Sequence, residues 1–263
     1  MRGNGETKKP VYKAVSASLK VLGVLEALND VGPAGLTAIH KRAGLPKATT
    51  LRMLETLCSA GYAKYDPAGK VFAVGIHALA LSQGYNAMDE IVAIARPVMA
   101  DLRLDLGWPS DIVVCENDRL VIADTNTRQA QFSVVRAGGA GSQIPFSISA
   151  TGRAWLAFCD DEMRERILRF DNPHPQESRD LMAHPERLAA IIAETRRRGY
   201  GLQSGEFFDS EAGAGVPVIV GGALRCCINI VTARNAVTLE QIERQYVPRL
   251  QTAAETIASR MSR

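Results

Sequence analysis

The stretch AGLPKATTLRMLETLCSAGY, residues 43–62, has the hydrophobic spacing of a short amphipathic helix. Its apolar side chains recur three and four residues apart, which predicts a buried stripe formed by Leu51, Leu54, Leu57 and Cys58. The opposite face is small, basic and rich in hydroxyl groups, and it is predicted to meet solvent through Lys47, Thr49, Thr50, Arg52 and Met53. A solvent face of this composition suits a helix that contacts another molecule.

The segments on both sides of this helix predict a small DNA-binding domain. An earlier helix from about residue 15 to 29 is indicated by the spacing of Val15, Leu19, Leu22 and Leu25. LTAIHKRAG predicts a second helix, with Thr37 as its N-cap and Gly44 at its end, and Pro46 is predicted to open the third. YAKYDPAGKVFAV predicts two strands around the turn DPAG. This order is that of a winged helix-turn-helix, assigned with its N-terminal arm to residues 1–74.

The outer face of the third helix has the chemistry of DNA recognition. Short threonine hydroxyls reach phosphates or base edges, arginine forms bidentate contacts with guanine, and an open helix N-terminus suits a phosphate. Lysines of the hairpin would add contacts to the flanking backbone. The predicted DNA-binding residues are Pro46, Lys47, Ala48, Thr49, Thr50, Arg52, Met53, Arg42, Lys64 and Lys70. A three-helix module for protein interaction is the alternative interpretation of the same pattern.

The charge distribution favours a nucleic acid as the partner of this domain. The first 85 residues contain 11 Lys and Arg against 5 Asp and Glu, so that they carry +6, whereas the remainder carries −3. A basic head on a mildly acidic body is typical of a protein whose head meets a polyanion. The chain has no apolar run long enough to span a membrane, no secretory signal and no CxxC among its five cysteines. We therefore expect a soluble cytoplasmic protein.

The remaining residues predict an α+β domain with an antiparallel sheet and flanking helices, assigned to residues 88–263 after a linker helix at 75–87. SDIVVCEN, RLVIADTN, QFSVV and RCCINIV are predicted strands. ATGRAWLAFCDDEMRERILRF is predicted to be helical, and HPERLAAIIAETRRRGYG predicts a helix that ends at Gly199. Thr238 and Gln241 form a capping box for the last helix, in which Pro248 is expected to cause a kink.

Several separated motifs resemble the IclR family of bacterial transcription regulators. They are GLTAIHKRAGLPKATTLRMLETLCSAGY, GYNAMDEIVAIARPVMADLRLDLG, IPFSISATGRAWLAF, RRRGYGLQSGEF and VPVIVGGALRCCINIV, which together extend over nearly the whole chain. The resemblance implies a winged helix-turn-helix joined to a GAF-like effector domain. It also implies a homodimer, or a dimer of dimers, that binds a palindromic double-stranded operator and responds to a small carboxylic acid.

Two short strings narrow the resemblance to one branch of the family. GWPSDIVV and AWLAFC resemble the branch that regulates catabolism of 3-(3-hydroxyphenyl)propionate and related aromatic acids. Ser147 and Ser149 stand where the family usually has His and Thr, Arg153 replaces Lys, and the acidic segment after Asp209 is shorter than usual. Contacts to the effector are therefore expected to differ from those of other members.

The segment SISATG is the predicted effector site. It opens a helix, so the amides of Ala150, Thr151 and Gly152 are expected to be free for a carboxylate, with hydroxyl contacts from Ser147 and Ser149. The alternative is that Ser149 only caps the helix. The resemblance adds Asn229, which aligns with a polar residue of the family's pocket. An apolar wall is expected from Trp108, Trp155 and Phe146, and a second anchor for the acid from Arg136.

Three other functions stay open on the sequence alone. The effector could be a small aliphatic keto acid such as glyoxylate or pyruvate. The chain could instead be an enzyme acting on a small organic acid, although no catalytic arrangement is apparent, or a DNA-binding structural protein without an effector. Asp171, His174 and His184 lack metal-ligand spacing, and the adjacent Cys226 and Cys227 are expected to be inert thiols. No metal or cofactor is predicted.

Overall fold

The computed structural model describes residues 15–82, 89–132, 134, 138–169, 179 and 183–262. The chain divides into two compact units, residues 1–86 and 87–263. The first unit contains helices α1 (Ser16–Val31), α2 (Leu36–Ala43) and α3 (Lys47–Ser59). An antiparallel hairpin follows, formed by β1 (Ala63–Asp66) and β2 (Val71–Val74), and then a 3₁₀ helix at Ile76–Ser82. The winged helix-turn-helix fold is confirmed.

The starts of α2 and α3 differ slightly from the sequence prediction. Gly35, rather than Thr37, is the N-cap of α2, because the bridge between Ala34 and Phe72 keeps the chain extended up to that point. Pro46 is the N-cap of α3 and not its first helical residue. The linker expected to be helical at 75–87 is a 3₁₀ helix where it is described, and residues 83–88 lie outside the described residues.

Helix α1 buries a different face from the one predicted. Val24, Ala27 and Leu28 are fully buried against α2 and α3. Of the predicted stripe, Leu25 is half-buried, whereas Val15, Leu19 and Leu22 are exposed. Both sets of residues satisfy the spacing of a helical face, so periodicity alone does not select between them. The helix therefore has a second apolar stripe that its own unit leaves exposed.

The second unit is built around a six-stranded antiparallel sheet with the order β5-β4-β3-β8-β7-β6. Its strands are β3 (Asp111–Glu116), β4 (Arg119–Thr125), β5 (Gln143–Ile144), β6 (Gly201–Ser204), β7 (Glu211–Val220) and β8 (Ala223–Ala233). Its helices are α4 (Asp89–Leu106), α5 (Ala150–Phe158), α6 (Asp161–Arg169), α7 (Pro185–Arg198), α8 (Leu239–Gln241) and α9 (Val247–Met261). The predicted α+β architecture is confirmed.

Each face of the sheet is covered by its own hydrophobic layer. One layer places Ile112, Val114 and Ile228 against α4 and α9. The other places Val113 and Cys227 against residues of α5 and α7. Because side chains alternate along a strand, neighbouring residues of β3 and β8 serve opposite layers. By the same alternation, Asp111, Glu211 and Asn229 belong to the face that α5 covers.

Two further predictions in this unit need correction, and the capping box is confirmed. QFSVV does not supply the next strand: Gln131, Phe132 and Val134 are not in a strand, Ser133 and Val135 lie outside the described residues, and β5 pairs with β4 instead. The long predicted helix is interrupted after Phe158 and continues as α6. The capping box of Thr238 and Gln241 is present. Pro248 is the second residue of α9 and directly follows a π-helical turn at Ile242–Tyr246, and the kink expected there stays a prediction.

Candidate DNA-binding surface and effector cavity

Helix α3 has the exposed basic end that DNA recognition requires. Lys47, Ala48 and Arg52 are exposed, and Thr49 and Met53 are half-buried. No side chain caps the N-terminus of the helix at Pro46, so its first amides are open to an anion. These residues therefore form a continuous candidate surface for phosphate and base contacts.

Thr50 is a wrong prediction for this surface. Its side chain is 0% exposed, and its Oγ1 donates to the carbonyl oxygen of Pro46 at 3.1 Å. The hydroxyl therefore stabilises the tight turn between α2 and α3. Because the hydroxyl donates its hydrogen bond to a carbonyl oxygen four residues earlier, Thr50 can lie among apolar side chains.

The other predicted DNA contacts lie on α2 and the hairpin. Arg42 forms an ion pair with Asp30 of α1, so that its guanidinium is partly engaged within the domain. Lys64 is exposed on β1. Lys70 is exposed at the hairpin turn with a positive φ of 52°. The carboxylate of Asp66 accepts hydrogen bonds from two amides of that turn, which fixes the position of Lys70 beside it.

The effector unit contains a cavity between the N-terminus of α5 and the sheet. Its atom-free space, counted out to solvent, is about 530 Å³. Strands β3, β4, β5, β6, β7 and β8 all contribute, together with the loop at 205–210. The polar side chains that line it are Asp111, Ser142, Gln143, Ser149, Thr151, Gln203, Glu211 and Asn229. Four predicted effector residues are therefore brought together here, namely Ser149, Ala150, Thr151 and Asn229.

The N-terminus of α5 presents two of the three predicted amides to the cavity. Ala150 and Thr151 line the cavity, and as the first two helical residues their amides have no intrahelical acceptor. The amide of Gly152 is not free, because it donates to Ser149 Oγ at 3.0 Å. Ser149 Oγ in turn donates to the carbonyl oxygen of Pro145 at 2.6 Å. Ser149 therefore caps the helix, and the amides of Ala150 and Thr151 are the ones without an acceptor inside it.

A pair of glycines in the sheet allows the first turn of α5 to lie in direct contact with the backbone of β6 and β7. Gly201 of β6 and Gly215 of β7 are directly opposite each other in the antiparallel register. A Cβ atom on Gly201 would lie 2.1 Å from the carbonyl oxygen of Ala150, and one on Gly215 would lie 2.7 Å from the amide nitrogen of Thr151. Only glycine therefore fits beneath the first turn of this helix.

Asn229 lines the cavity and forms two hydrogen bonds with Asp111. Its Oδ1 accepts from the amide of Asp111 at 2.7 Å, and its Nδ2 donates to Asp111 Oδ2 at 2.8 Å. Both residues are buried. The pair joins β8 to the start of β3 and fixes the Asp111 carboxylate at the cavity wall.

The predicted aromatic wall is wrong. Trp108 packs in the α4 and α9 layer, and Phe146 and Trp155 pack in the other layer, so none of them lines the cavity. The wall is formed instead by Phe207 and Phe208, whose ring centroids lie 4.1 Å apart. Ser147 is fully buried outside the cavity lining, and Arg136 lies outside the described residues.

The sequence prediction missed the polar residues of the strands. Asp111 and Glu211 each open a strand, and Gln203 lies within β6. All three are buried and line the cavity. Charged residues at the start of apolar runs such as DIVVCE were the available signal, but strand ends are usually solvated and the pattern is therefore ambiguous.

Arg153 connects α5 to the loop that carries the phenylalanine pair. Its Nε donates to the carbonyl oxygen of Ser147 at 2.9 Å, and its Nη2 lies 2.9 Å from Glu206 Oε1. Burial raises the pKa of Glu206, but the Arg153 guanidinium and the Ser204 amide outweigh it and hold that pKa below its usual value. The loop is therefore held against α5 by an ion pair.

The environment of the adjacent cysteines on β8 is that of unreactive thiols. Burial raises the pKa of Cys226 to about 12 and that of Cys227 well above its usual value, as expected for inert thiols. Within the described ranges, no group of His, Cys, Asp and Glu is arranged to hold a metal ion. Asp171 and His174 lie outside those ranges. Among the described helices, none combines the length and apolar character that a membrane crossing requires.

Comparison with known proteins agrees with both parts of the structure. Residues 19–67 match the IclR helix-turn-helix domain, and residues 83–259 match the C-terminal domain of bacterial IclR transcriptional regulators. The acetate operon repressor of Salmonella typhimurium is 27% identical over 202 residues, which is 76% of this chain and 73% of that protein. The probable transcriptional regulator SauR of Cupriavidus necator is 27% identical over 250 residues, or 91% and 94% of the two chains.

A solved structure has the same fold over almost the full length. It is an IclR homolog from Microbacterium hydrocarbonoxydans in complex with 4-hydroxybenzoate, with a TM-score of 0.63 and 21% identity. The alignment covers 93% of this chain and 98% of the other. This agreement concerns the fold, and the matches to both domain models decide the family. The chain belongs to the IclR family of bacterial transcriptional regulators, and it is a ligand-responsive DNA-binding regulator rather than an enzyme.

Proposed function

We propose that this regulator controls the catabolism of an aromatic carboxylic acid and that the acid is its effector. The observation that carries the proposal is that the first residues of α5, Ala150 and Thr151, line the same cavity as the stacked rings of Phe207 and Phe208. Helix N-terminal amides suit a carboxylate, and an aromatic wall suits a planar ring. The homolog solved with 4-hydroxybenzoate, and the resemblance of GWPSDIVV and AWLAFC to the aromatic-acid branch, support the same class.

The domain roles follow the predicted boundaries. Residues 1–74 bind operator DNA in the cytoplasm, and residues 88–263 bind the effector. Residues 75–87 link these two domains. The start of the linker is attached to the recognition helix, because His77 Nδ1 donates to the carbonyl oxygen of Ala60 at 2.9 Å. The Gly75 amide also donates to the carbonyl oxygen of Tyr62 at 2.8 Å. A displacement of the linker on effector binding would therefore move the end of α3 with it. Such a response requires that the effector bind the two arrangements with different affinity.

The proposed DNA contacts are the exposed residues of α3 with the lysines of the hairpin. We expect Arg52→Ala to weaken binding to the specific operator by about 1–3 kcal/mol if Arg52 forms a bidentate contact with a base. The measurement is a titration of operator DNA and random DNA of equal length. Equal losses on both DNAs would show that Arg52 contacts phosphate instead.

Two copies of this chain are proposed to bind a palindromic operator. The second apolar stripe of α1 supplies a surface for the contact, since Leu19 is 58% and Leu22 is 55% exposed. Exposed leucines one helical turn apart are typical of a helix that packs against another helix. One recognition helix makes few base contacts, so pairing two half-sites raises selectivity. The same chain could associate further into a dimer of dimers.

The effector proposal is tested by a thermal-shift screen of the full chain. The panel contains benzoates and phenylpropanoates together with glyoxylate and pyruvate. An aromatic acid at one hundred times its dissociation constant is expected to stabilise the native state by about 2.7 kcal/mol. A shift with glyoxylate or pyruvate alone would replace the aromatic acid by an aliphatic keto acid. No shift across the panel at millimolar concentration would contradict both classes.

A further inference from the structure

We propose that the carboxylate of Glu55 accepts a hydrogen bond from a cytosine base of the operator, beside the base that Arg52 contacts. This inference rests on the proposed DNA contacts of α3, to which it adds a residue with a defined base preference. Glu55 is the only acidic residue of the helix KATTLRMLETLCS. Phosphates repel a carboxylate, so a glutamate on a surface that meets DNA lowers affinity unless it contacts a donor.

Glu55 and Arg52 project from the same side of α3. Both side chains are exposed, and because they are three residues apart they lie within about 60° of each other around the helix axis. The buried side of the helix is formed by Thr50, Leu54 and Leu57. A duplex that packs against Arg52 therefore also lies next to Glu55.

The polar groups around Arg52 leave the Glu55 carboxylate available for a base. Arg52, Glu55, Thr56 and Ser59 line one shallow depression on the surface. Thr56 Oγ1 donates to the carbonyl oxygen of Arg52 at 2.9 Å, so its hydrogen is used within the helix. Neither the Glu55 carboxylate nor the Arg52 guanidinium forms an ion pair or a hydrogen bond with another described residue. The two charged groups are therefore able to contact different bases.

Two other acidic residues of this unit show what a structural role looks like. Asp30 forms an ion pair with Arg42, and Asp66 accepts hydrogen bonds from amides of the hairpin turn. Within the described part of the chain, Glu55 has no contact of either kind. A contact with DNA gives its carboxylate a partner that the unit itself does not supply.

The edges of the bases decide which base suits a carboxylate. In the major groove the amino donors belong to cytosine and adenine, and an ionised carboxylate only accepts hydrogen bonds. Adenine has the acceptor N7 beside its amino group, an arrangement that suits the amide of glutamine and repels a carboxylate. Cytosine is therefore the base expected for Glu55, and glutamine at the same position is expected to favour adenine.

The spacing of the two residues predicts where this cytosine lies. Three residues of an α-helix rise about 4.5 Å along its axis, and successive base pairs are about 3.4 Å apart. We therefore expect the cytosine within one or two base pairs of the base that Arg52 contacts. The two contacts should appear as separate positions in the operator.

The experiment compares the base preferences of the full chain and three variants, Glu55→Gln, Glu55→Ala and Arg52→Ala. A duplex is first selected from random DNA by the unmodified chain, and each protein is then titrated with every single-base-pair change in that duplex. At one position the unmodified chain is expected to bind the cytosine duplex at least about fivefold more tightly than the others. Glu55→Ala should lose this preference, and Glu55→Gln should prefer adenine there by a similar factor.

The two Glu55 variants control for charge, because both remove the same negative charge and only glutamine is expected to favour adenine. Glu255→Gln removes an equal charge from an exposed position on α9 in the second unit. It should keep every base preference. Glu55 is exposed, so both variants are expected to keep the melting temperature of the unmodified chain.

The possible outcomes separate this inference from the proposal on which it rests. If Arg52→Ala changes one preference and both Glu55 variants keep them all, α3 contacts bases without Glu55 and the inference is overturned. If the Glu55 variants alter only the base pair that Arg52→Ala alters, Glu55 positions Arg52 and the cytosine contact is overturned. A base other than cytosine at the pair that Glu55 controls would overturn it too. If no variant changes any preference, the proposed base contacts of α3 fail and the inference fails with them.

Discussion

Replacing Leu19 and Leu22 of α1 with glutamate is expected to weaken binding to a palindromic operator at least about a hundredfold, because it prevents pairing of two DNA-binding heads. The fold of the head should survive, since Val24, Ala27 and Leu28 form the buried face of the helix and are untouched. The measurement combines sedimentation, to follow the dimer, with titration of an operator selected from random DNA by the unmodified protein.

The control for this prediction separates loss of pairing from added negative charge. Leu19→Met with Leu22→Met keeps the stripe apolar and should bind the operator almost as the unmodified protein does. DNA containing one half-site measures the effect of charge alone, because no second head is engaged. A glutamate variant that loses as much affinity for the half-site as for the whole operator would contradict pairing through α1.

The same helix shows how far hydrophobic spacing predicts this fold. The order of the helices and the hairpin could be predicted because the apolar residues of each segment have a clear helical or strand periodicity. Turn residues such as Gly44 and the DPAG turn also mark where each segment ends. The face that α1 buries could not be predicted in this way, because both apolar stripes of the helix have helical spacing. Contact with α2 and α3, which are separate in sequence, selects Val24 and Leu28 over Leu19 and Leu22.

The effector site was predictable where one short segment supplies it. SISATG contains both the cap and the two amides that line the cavity, so local rules were sufficient for Ser149, Ala150 and Thr151. Three further buried polar residues of the cavity come from β3, β6 and β7, and only the sheet order brings these strands to one cavity. Asp111, Gln203 and Glu211 therefore could not be grouped from the sequence.

Aromatic residues misled the prediction for a similar reason. Phe146 and Trp155 are large and close in sequence to the predicted site, but both pack in a core layer rather than at the cavity, as does Trp108. Phe207 and Phe208 line it because the loop between β6 and β7 turns back over α5, where Arg153 pairs with Glu206. An ion pair between residues 53 positions apart cannot be read from local spacing.

Gly201→Ala is expected to destabilise the effector unit by about 3 kcal/mol, because a Cβ 2.1 Å from the Ala150 carbonyl oxygen forces α5 away from the sheet. For a unit of this size the melting temperature should fall by about 6–12 °C. The neighbouring atom belongs to the backbone, so no side chain can rotate to relieve the contact. The shift of α5 also displaces the amides of Ala150 and Thr151, and the variant should bind the effector at least about tenfold more weakly at a temperature where it is folded.

Gly139→Ala is the matched control, since a Cβ there meets no atom within 4 Å and the position does not have a positive φ. It should leave both the melting temperature and effector binding nearly unchanged. Calorimetric melting and titration with the ligand found in the screen test both effects. A Gly201→Ala variant with the stability of the unmodified chain would mean that α5 does not need to lie so close to β6. Normal stability with lost binding would instead show that the sheet adjusts while the amides move, so the two measurements separate the packing of α5 from its role in the site.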